Sequence, residues 1–365
     1  MLLDFFPSRT LTVYLARLFV TRILAVLVML VLVLMMLDLL GESGDILAAP
    51  GNGQAELLRY ASLRVPQLVA RFLPYSVLLA TIITLATLNQ NSEVIAMKAS
   101  GLSAHQVLAP LVLTAIVIAG LSFAFNERVV TRATASLQAW SSADYGPIPQ
   151  DSGTRNNVYM AEGRDILLAA TVAGDASNMV LGTVTYYRRN AAGMIIDEIR
   201  APRAAYTPAG WVMTDAVRFD VRRTQTTELP SATVASGITP DRVLISSVDA
   251  DSQDIFTLAS SIDAMKVAGR RTSALEAAWW HKISGPLSSV LMPILGAVAA
   301  FGLARSGQLL VRAVIGMALG FAYFVIDNAA LAMGNFGGYP PFIAAWSPFL
   351  LFALVGETVL IRTEE

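Results

Sequence analysis

The sequence predicts an α-helical membrane protein of six transmembrane helices with an inserted all-β, jelly-roll-like domain. Three observations predict it. The 365 residues are 55% hydrophobic and only 15% charged, with a mean hydropathy of +0.58, whereas a soluble domain carries about 25% charged residues. Six apolar stretches approach the length that a bilayer core of about 30 Å requires. The middle of the chain, by contrast, is poor in helix signals and rich in short β-branched and aromatic runs. The division read from these is spans one to three in 1–137, a β-domain in 138–260 and spans four to six in 261–365.

Taken in order, the first span covers about 18–40, and its core ILAVLVMLVLVLMML is apolar on every side. Arg9, Arg17 and Arg22 precede it, and Glu42 and Asp45 follow it, which puts the N-terminus in the cytoplasm. The span is too long for a signal-peptide core and reads as a retained helix. No packing face is chosen by such a sequence, and Leu34, Met35 and Met36 offer a surface that acyl chains can meet. Residues 41–65 read as an outer loop with a short amphipathic helix. The second span, about 66–88, carries Arg71, and Pro74 is expected to start or kink it.

Asn91 to Gln106, NSEVIAMKASGLSAHQ, is a polar island between two spans. Ser92 is placed to cap a short helix, with Glu93 at its positive end. Val94, Ile95, Met97, Ala99 and Leu102 supply an apolar face, and Gly101 is placed to end the helix. Ser103 with Gln106 forms a capping-box pair that starts the next span. Two readings fit: a tight helical hairpin loop, or a coupling helix that pegs into a groove on a cytoplasmic motor subunit.

The third span, about 107–125, ends at Asn126, Glu127, Arg128 and Arg132. Runs such as MVLGTVTYYRR, MIIDEIRA and VRFDVRR then give the β-domain its strands, on the non-cytoplasmic side. The fourth span, about 279–303, opens with Trp279 and Trp280 as interfacial anchors, with His281 and Lys282 within snorkelling distance of the surface. ARSGQLLVR at 304–312 is a basic cytoplasmic turn. In the fifth span, about 313–333, Gly316 and Gly320 sit four apart, a spacing that permits close helix approach, and Phe324 continues their stripe. This stripe is expected to be a closing seam against a partner, beside a lipid cavity shared with the first span. Asp327 is costly at that depth unless paired. It reads either as a carboxylate near the interface, bonded to Asn328 or another helix, or as a polar contact in a bundle that opens and closes. The sixth span, about 342–360, ends at Arg362 in the cytoplasm.

Several function classes are excluded. A net charge of −1 gives no basic field for nucleic acid. With no cysteine and only His105 and His281, thiolate and His-rich metal sites are excluded. There is no G-x-x-x-x-G-K-[ST], no H-E-x-x-H and no G-x-S-x-G, so the chain is not its own P-loop ATPase and shows no enzyme signature. Asp197 and Glu198 read as solvated strand-end residues. Arg71, Arg128 and Arg132, at outer ends of spans, either snorkel or pair with anionic headgroups.

FLPYSVLLATIITLATLNQNSEVIAMKASGLS, WWHKISGPLSSVLM and GMALGFAYFVIDNAALAMG together resemble the YjgP/YjgQ family of lipopolysaccharide-export permeases, LptF/LptG. VIDN and LDLLGESG resemble its LptG branch more than its LptF branch. The resemblance covers essentially the whole chain. It implies a permease half of an ABC transporter in the bacterial inner membrane, with both termini cytoplasmic and the β-domain periplasmic. It implies as partners an LptF-like permease, an LptB-like ATPase dimer that binds ATP and Mg, an LptC-like single-span protein beside the first span, and an LptA-like bridge. Lipopolysaccharide would enter from the outer leaflet. Ser92, Glu93, Val94, Met97, Lys98, Ala99 and Gly101 then fall in the coupling helix, with Glu93 facing the ATPase. The family's lysines at the outer end of the first span have no match here, where Met35, Gly41 and Glu42 stand. A competing reading is a non-transporting membrane scaffold whose β-domain binds a periplasmic partner.

Overall fold

In the computed structural model, residues 7–141, 144–146, 155–173, 179–240, 243, 249–267, 271–298 and 309–364 are described. They fall into two units. A helical unit comprises Met1–Glu42, Leu57–Thr134 and Ala250–Glu365, and a β unit comprises Ser43–Glu56 and Ala135–Asp249.

The helical elements are α1 (Arg9–Ala48), α2 (Gln54–Gln90), α3 (Glu93–Ala99) and α4 (Ala104–Phe125). A π-helical turn, Asn126–Val130, carries α4 into α5 (Thr131–Ser141). After the sheet come α6 (Ile255–Val267), α7 (Ser273–Ala297), α8 (Leu309–Asn335) and α9 (Pro341–Glu364). Among the described residues, five helical stretches are long and apolar enough to cross a membrane: Arg9–Ala48, Gln54–Gln90, Ala104–Ser141, Val314–Asn335 and Pro341–Arg362. The expected fourth span is not among them. Its described part is α7, where Lys282, Ser284, Ser288 and Ser289 are buried and the helix packs against α4, α8 and α9. A helix wrapped by its neighbours can carry hydroxyls and a charge that lipid contact would forbid.

The first loop is also shorter than the sequence suggests. α1 continues through Gly41 and Gly44 to Ala48, just before Pro50, and α2 begins at Gln54, where Glu56 accepts the Gly53 amide at 2.8 Å. Pro74 lies buried inside α2 and does not start it. The apolar α1 does select a face. Leu15, Phe19, Ile23, Leu27, Val31 and Met35 recur every four residues and are buried, whereas Leu24, Val28, Leu32, Met36 and Leu40 are exposed. Met35 is therefore a packing residue, not part of an open surface, and Leu34 is half-buried.

Glycines set the closest helix approaches. A Cβ at Gly296 of α7 would lie 2.7 Å from Thr81 Cγ2 of α2, and one at Gly356 of α9 would lie 2.8 Å from Ile294 Cγ2 of α7. Two polar ties fix α1 to α2. Arg22 Nη1 donates to the Ile83 carbonyl at 3.0 Å. Arg64 grips Asp38 with two bonds of 3.0 and 2.9 Å, and the Tyr60 hydroxyl donates to the same carboxylate at 2.7 Å.

The β unit is one six-stranded sheet: β1 (Arg155–Glu162), β2 (Asp165–Ala173), β3 (Val180–Arg189), β4 (Ile195–Thr207), β5 (Gly210–Asp220) and β6 (Gln225–Val234). The strands lie in chain order with every neighbour antiparallel. That order is a meander. A jelly roll brings non-consecutive strands together, and no such pair occurs among the described strands. Leu167, Leu181, Val184, Ala201, Ala204, Trp211 and Met213 share its buried side, and Trp211 Nε1 donates to the Ile238 carbonyl at 2.7 Å.

Asp197 is not solvated. It shares that buried side with Ile199, and its side chain is 5% exposed. Arg218 donates to it at 3.0 and 2.8 Å, and Arg188 of β3 holds its second oxygen. Glu198, on the other side, pairs with Arg200.

Candidate functional site

α3 is the chain's most distinctive surface element, and its neighbours explain its seat. α2 stops at Gln90, and Ser92 adopts a left-handed backbone (φ 58°) that turns the chain sharply. In that conformation the Ser92 side chain makes no capping bond, so its expected role as N-cap is corrected to that of a corner. At the other end Gly101 has φ +91°, its amide donates to the Lys98 carbonyl at 3.0 Å, and Leu102 N donates to Met97 O at 3.2 Å. The Ser103–Gln106 capping box then forms as the sequence predicts, with bonds of 3.0 and 3.1 Å.

Between these corners α3 shows two faces. Val94 and Met97 are buried in the helical core with Leu85, Leu88, Val107, Leu108 and Leu111, and Leu102 packs at its margin. Ile95 is 62% exposed, and Lys98 and Ala99 are exposed too. The expected apolar face therefore splits: Ile95 and Ala99 point outward, because positions 94 and 97 already fill the inward sector of a seven-residue helix. Glu93 is half-exposed and accepts from the Tyr14 hydroxyl of α1 at 3.1 Å and from Asn91 Nδ2 at 3.4 Å. Its first contact is thus inside the chain.

The other predicted residues divide. Arg71, Arg128 and Arg132 are all exposed, on α2, the π-helical turn and α5. Gly316 and Gly320 are buried within the chain, and a Cβ at Gly320 would collide with Leu78 of α2. Phe324 stacks on Tyr75 of α2 at 3.7 Å and 19°. The stripe read as a seam against a partner is corrected accordingly: its Gly320 and Phe324 pack on the chain's own α2. Asp327 is buried, with His281 Nε2 of α7 at 3.9 Å, while Asn328 turns outward and donates to the Phe324 carbonyl at 2.7 Å. His281 Nδ1 lies 3.3 Å from Ser284 Oγ.

One pair escaped sequence reading. Lys282 does not snorkel. Its side chain is 8% exposed and meets Glu127 of the π-helical turn, 11% exposed, at 3.2 Å. The second oxygen of Glu127 accepts the Ile255 amide at the start of α6. The available signal was the cost of a lysine three residues inside the expected fourth span, which demands a partner.

Among the described residues, five apolar helices, a β unit inserted among them and a short two-faced helix seated on the helical core define a polytopic membrane protein with an inserted β unit. The chain belongs to the family described as lipopolysaccharide export system permease LptF/LptG, whose sequence profile matches residues 13–362. It is similar to the lipopolysaccharide export system permease protein LptG of Escherichia coli strain K12, with 27% identity over 327 residues, covering 87% of this chain and 89% of that one. It is also similar to LptG of Haemophilus influenzae, with 24% identity over 312 residues, covering 84% and 86%. Family and apolar helices together mark an inner-membrane protein.

Proposed function

We propose that this chain is the permease subunit of an ABC transporter that extracts lipopolysaccharide from the inner membrane and passes it to a periplasmic bridge. Its relatives are named as export permeases, components of a transporter rather than enzymes. The observation that carries the coupling part of this reading is the seat of α3. Val94 and Met97 anchor it in the helical core, and Ile95, Lys98 and Ala99 face outward. A push on the outer face is delivered to a packed core, which transmits displacement better than a loop does. Glu93 extends the path to α1 through Tyr14.

In this reading an LptB-like ATPase dimer meets α3 from the cytoplasm and holds ATP and Mg, so this chain needs no cofactor of its own. Both termini are cytoplasmic and the β unit is periplasmic. An LptF-like permease, an LptC-like single-span helix and an LptA-like bridge complete the path. The exposed apolar side of α1 meets lipid or a partner helix, and Arg71, Arg128 and Arg132 meet anionic headgroups.

The test is purification followed by reconstitution. The tagged chain is expected to bring down an ATPase and a second chain of its own family, and proteoliposomes should hydrolyse ATP faster with lipopolysaccharide. Isolation of the chain alone, with a periplasmic partner on the β unit and no ATPase, would establish the scaffold instead.

A further inference from the structure

A pocket unrelated to α3 lies between α6 and the first turns of α7. Its volume is about 220 Å³, and its lining includes Ile262, Asp263, Lys266, Glu276, Trp279 and Trp280. α6 is a short surface helix held down by Leu258, Ile262 and Met265, while Phe256 and Val267 are almost fully exposed. Large apolar residues displayed this way on a membrane protein call for lipid cover.

The depth of the pocket follows from its aromatic neighbours. Trp279 meets Trp280 edge-on at 4.8 Å, and Trp280 meets Phe342 at 5.0 Å. Phe336 and Tyr339 are exposed on the adjoining turn between α8 and α9. The Trp and Tyr rings of such a belt belong at headgroup level, where one end of each is apolar and the other is wet.

The chemistry of the lining is selective. Lys266 Nζ pairs with Glu276 at 3.1 Å, and the Thr272 hydroxyl donates to the same carboxylate at 2.7 Å. Among the described residues Asp263 has no hydrogen bond or ion pair, so the lining carries one negative charge in excess. The Trp279 indole N–H is already given to the Ile255 carbonyl at 3.0 Å. That indole therefore offers the pocket its ring system and no donor. A carboxylate beside indole rings suits an ammonium group. Lys266 has three N–H donors, of which Glu276 engages one, so it can also meet a phosphate oxygen.

We propose that the pocket between α6 and α7 binds a phosphoethanolamine headgroup, with its primary ammonium at Asp263 and the indoles and its phosphate at Lys266. A phosphoglycerol head would leave Asp263 facing another anion. A phosphocholine head has no N–H to give to the carboxylate. The site stands apart from α3, and it does not rest on the transport reading.

Native mass spectrometry of the delipidated full chain tests the assignment. The probes are dihexanoyl phosphatidylethanolamine, phosphatidylglycerol and phosphatidylcholine. Through the charge-assisted hydrogen bond to Asp263, the ethanolamine lipid is expected to bind about tenfold more tightly than the other two. Asp263→Asn should abolish that preference while the melting temperature stays unchanged, because Asp263 is an exposed side chain. Equal retention of the three lipids, or a preference that survives Asp263→Asn, would overturn the site. The same headgroup can come from a bilayer phospholipid or decorate a lipid A. Displacement of the ethanolamine lipid only by phosphoethanolamine-modified lipid A would assign the decorated lipid. No displacement by either form of lipid A would assign the bilayer phospholipid. Displacement by unmodified lipid A would overturn the headgroup chemistry.

Discussion

At the scale of single residues, Asp197 shows how a strand residue can mislead. Its position at the start of a strand, beside Glu198, suggests solvent, yet it is buried on the inner side of β4 between two arginines. Burial pushes its carboxyl upward, but the bonds and charges of Arg218 and Arg188 outweigh burial, and the net position is below the usual carboxylate range. A depressed folded value means that the stabilisation is present above the unfolded value of about 3.9 and is lost as pH falls through the lowered one. Asp197→Asn is expected to cost about 1–3 kcal/mol, discounted because both arginines are partly exposed. Hydrogen exchange of β3, β4 and β5 in the full chain reads this directly. Protection in the wild type should fall as pH drops from about 4 through the lowered folded value, by more than in the variant, for which the pH effect at this site is removed. Equal pH dependence would show that Asp197 is not a source of it. Tyr14→Phe belongs to the same scale. It removes the hydroxyl that Glu93 accepts, at a stability cost of about 0.5–1.5 kcal/mol. If α3 transmits to α1, lipopolysaccharide-stimulated ATP hydrolysis in the reconstituted transporter drops while basal hydrolysis persists. Full stimulation would confine transmission to Val94 and Met97.

At the scale of elements, what the sequence shows depends on whether the physics is local. The Ser103–Gln106 capping box and the Gly101 turn are set by neighbours three or four residues away, and both form as predicted. Apolar length likewise reveals α1, α2, α4, α8 and α9. The packing face of α1 was not legible, because fifteen consecutive apolar residues carry no contrast and the choice is made by the helix they meet. Ser92 carries a capping side chain, but its backbone turns left-handed and spends it on the corner. Of the Gly316–Gly320 pair, Gly320 makes a close approach, but spacing alone does not name the partner helix. Here the partner is α2, and this sets a prediction. Gly320→Val should overpack Leu78 and lower stability by about 1–3 kcal/mol. Adding Leu78→Ala should recover a large part of that loss, since the two side chains share one space. Thermal unfolding of the detergent-solubilised chain measures both. A double variant no better than the simple sum of the two losses would place the clash elsewhere.

At the scale of the whole molecule, the β-domain interrupts the chain and leaves the membrane helices in two groups that must recognise each other. Core packing of α7 against α4 and the glycine contacts of α2 with α7 and α8 supply area but little uniqueness, since apolar surfaces tolerate sliding. Glu127 and Lys282 supply register. Their 155-residue separation in sequence closes to 3.2 Å, and Glu127 also takes the amide that opens α6. The π-helical turn at Asn126–Val130 changes the helical phase at this place, which is where Glu127 meets both partners. Both charges are almost wholly withdrawn from solvent, so each is costly without the other. Lys282→Met leaves a buried carboxylate unpaired and is expected to destabilise the helical unit by about 3–5 kcal/mol. Glu127→Gln with Lys282→Met removes both charges, keeps an acceptor for the Ile255 amide, and should regain most of the loss. Unfolding of the purified chain in denaturant separates the cases. If Lys282→Met behaves as wild type, the ion pair does not hold the two groups of helices in register. If the double variant is as weak as the single, the loss comes from the shape of the lysine and not from its charge.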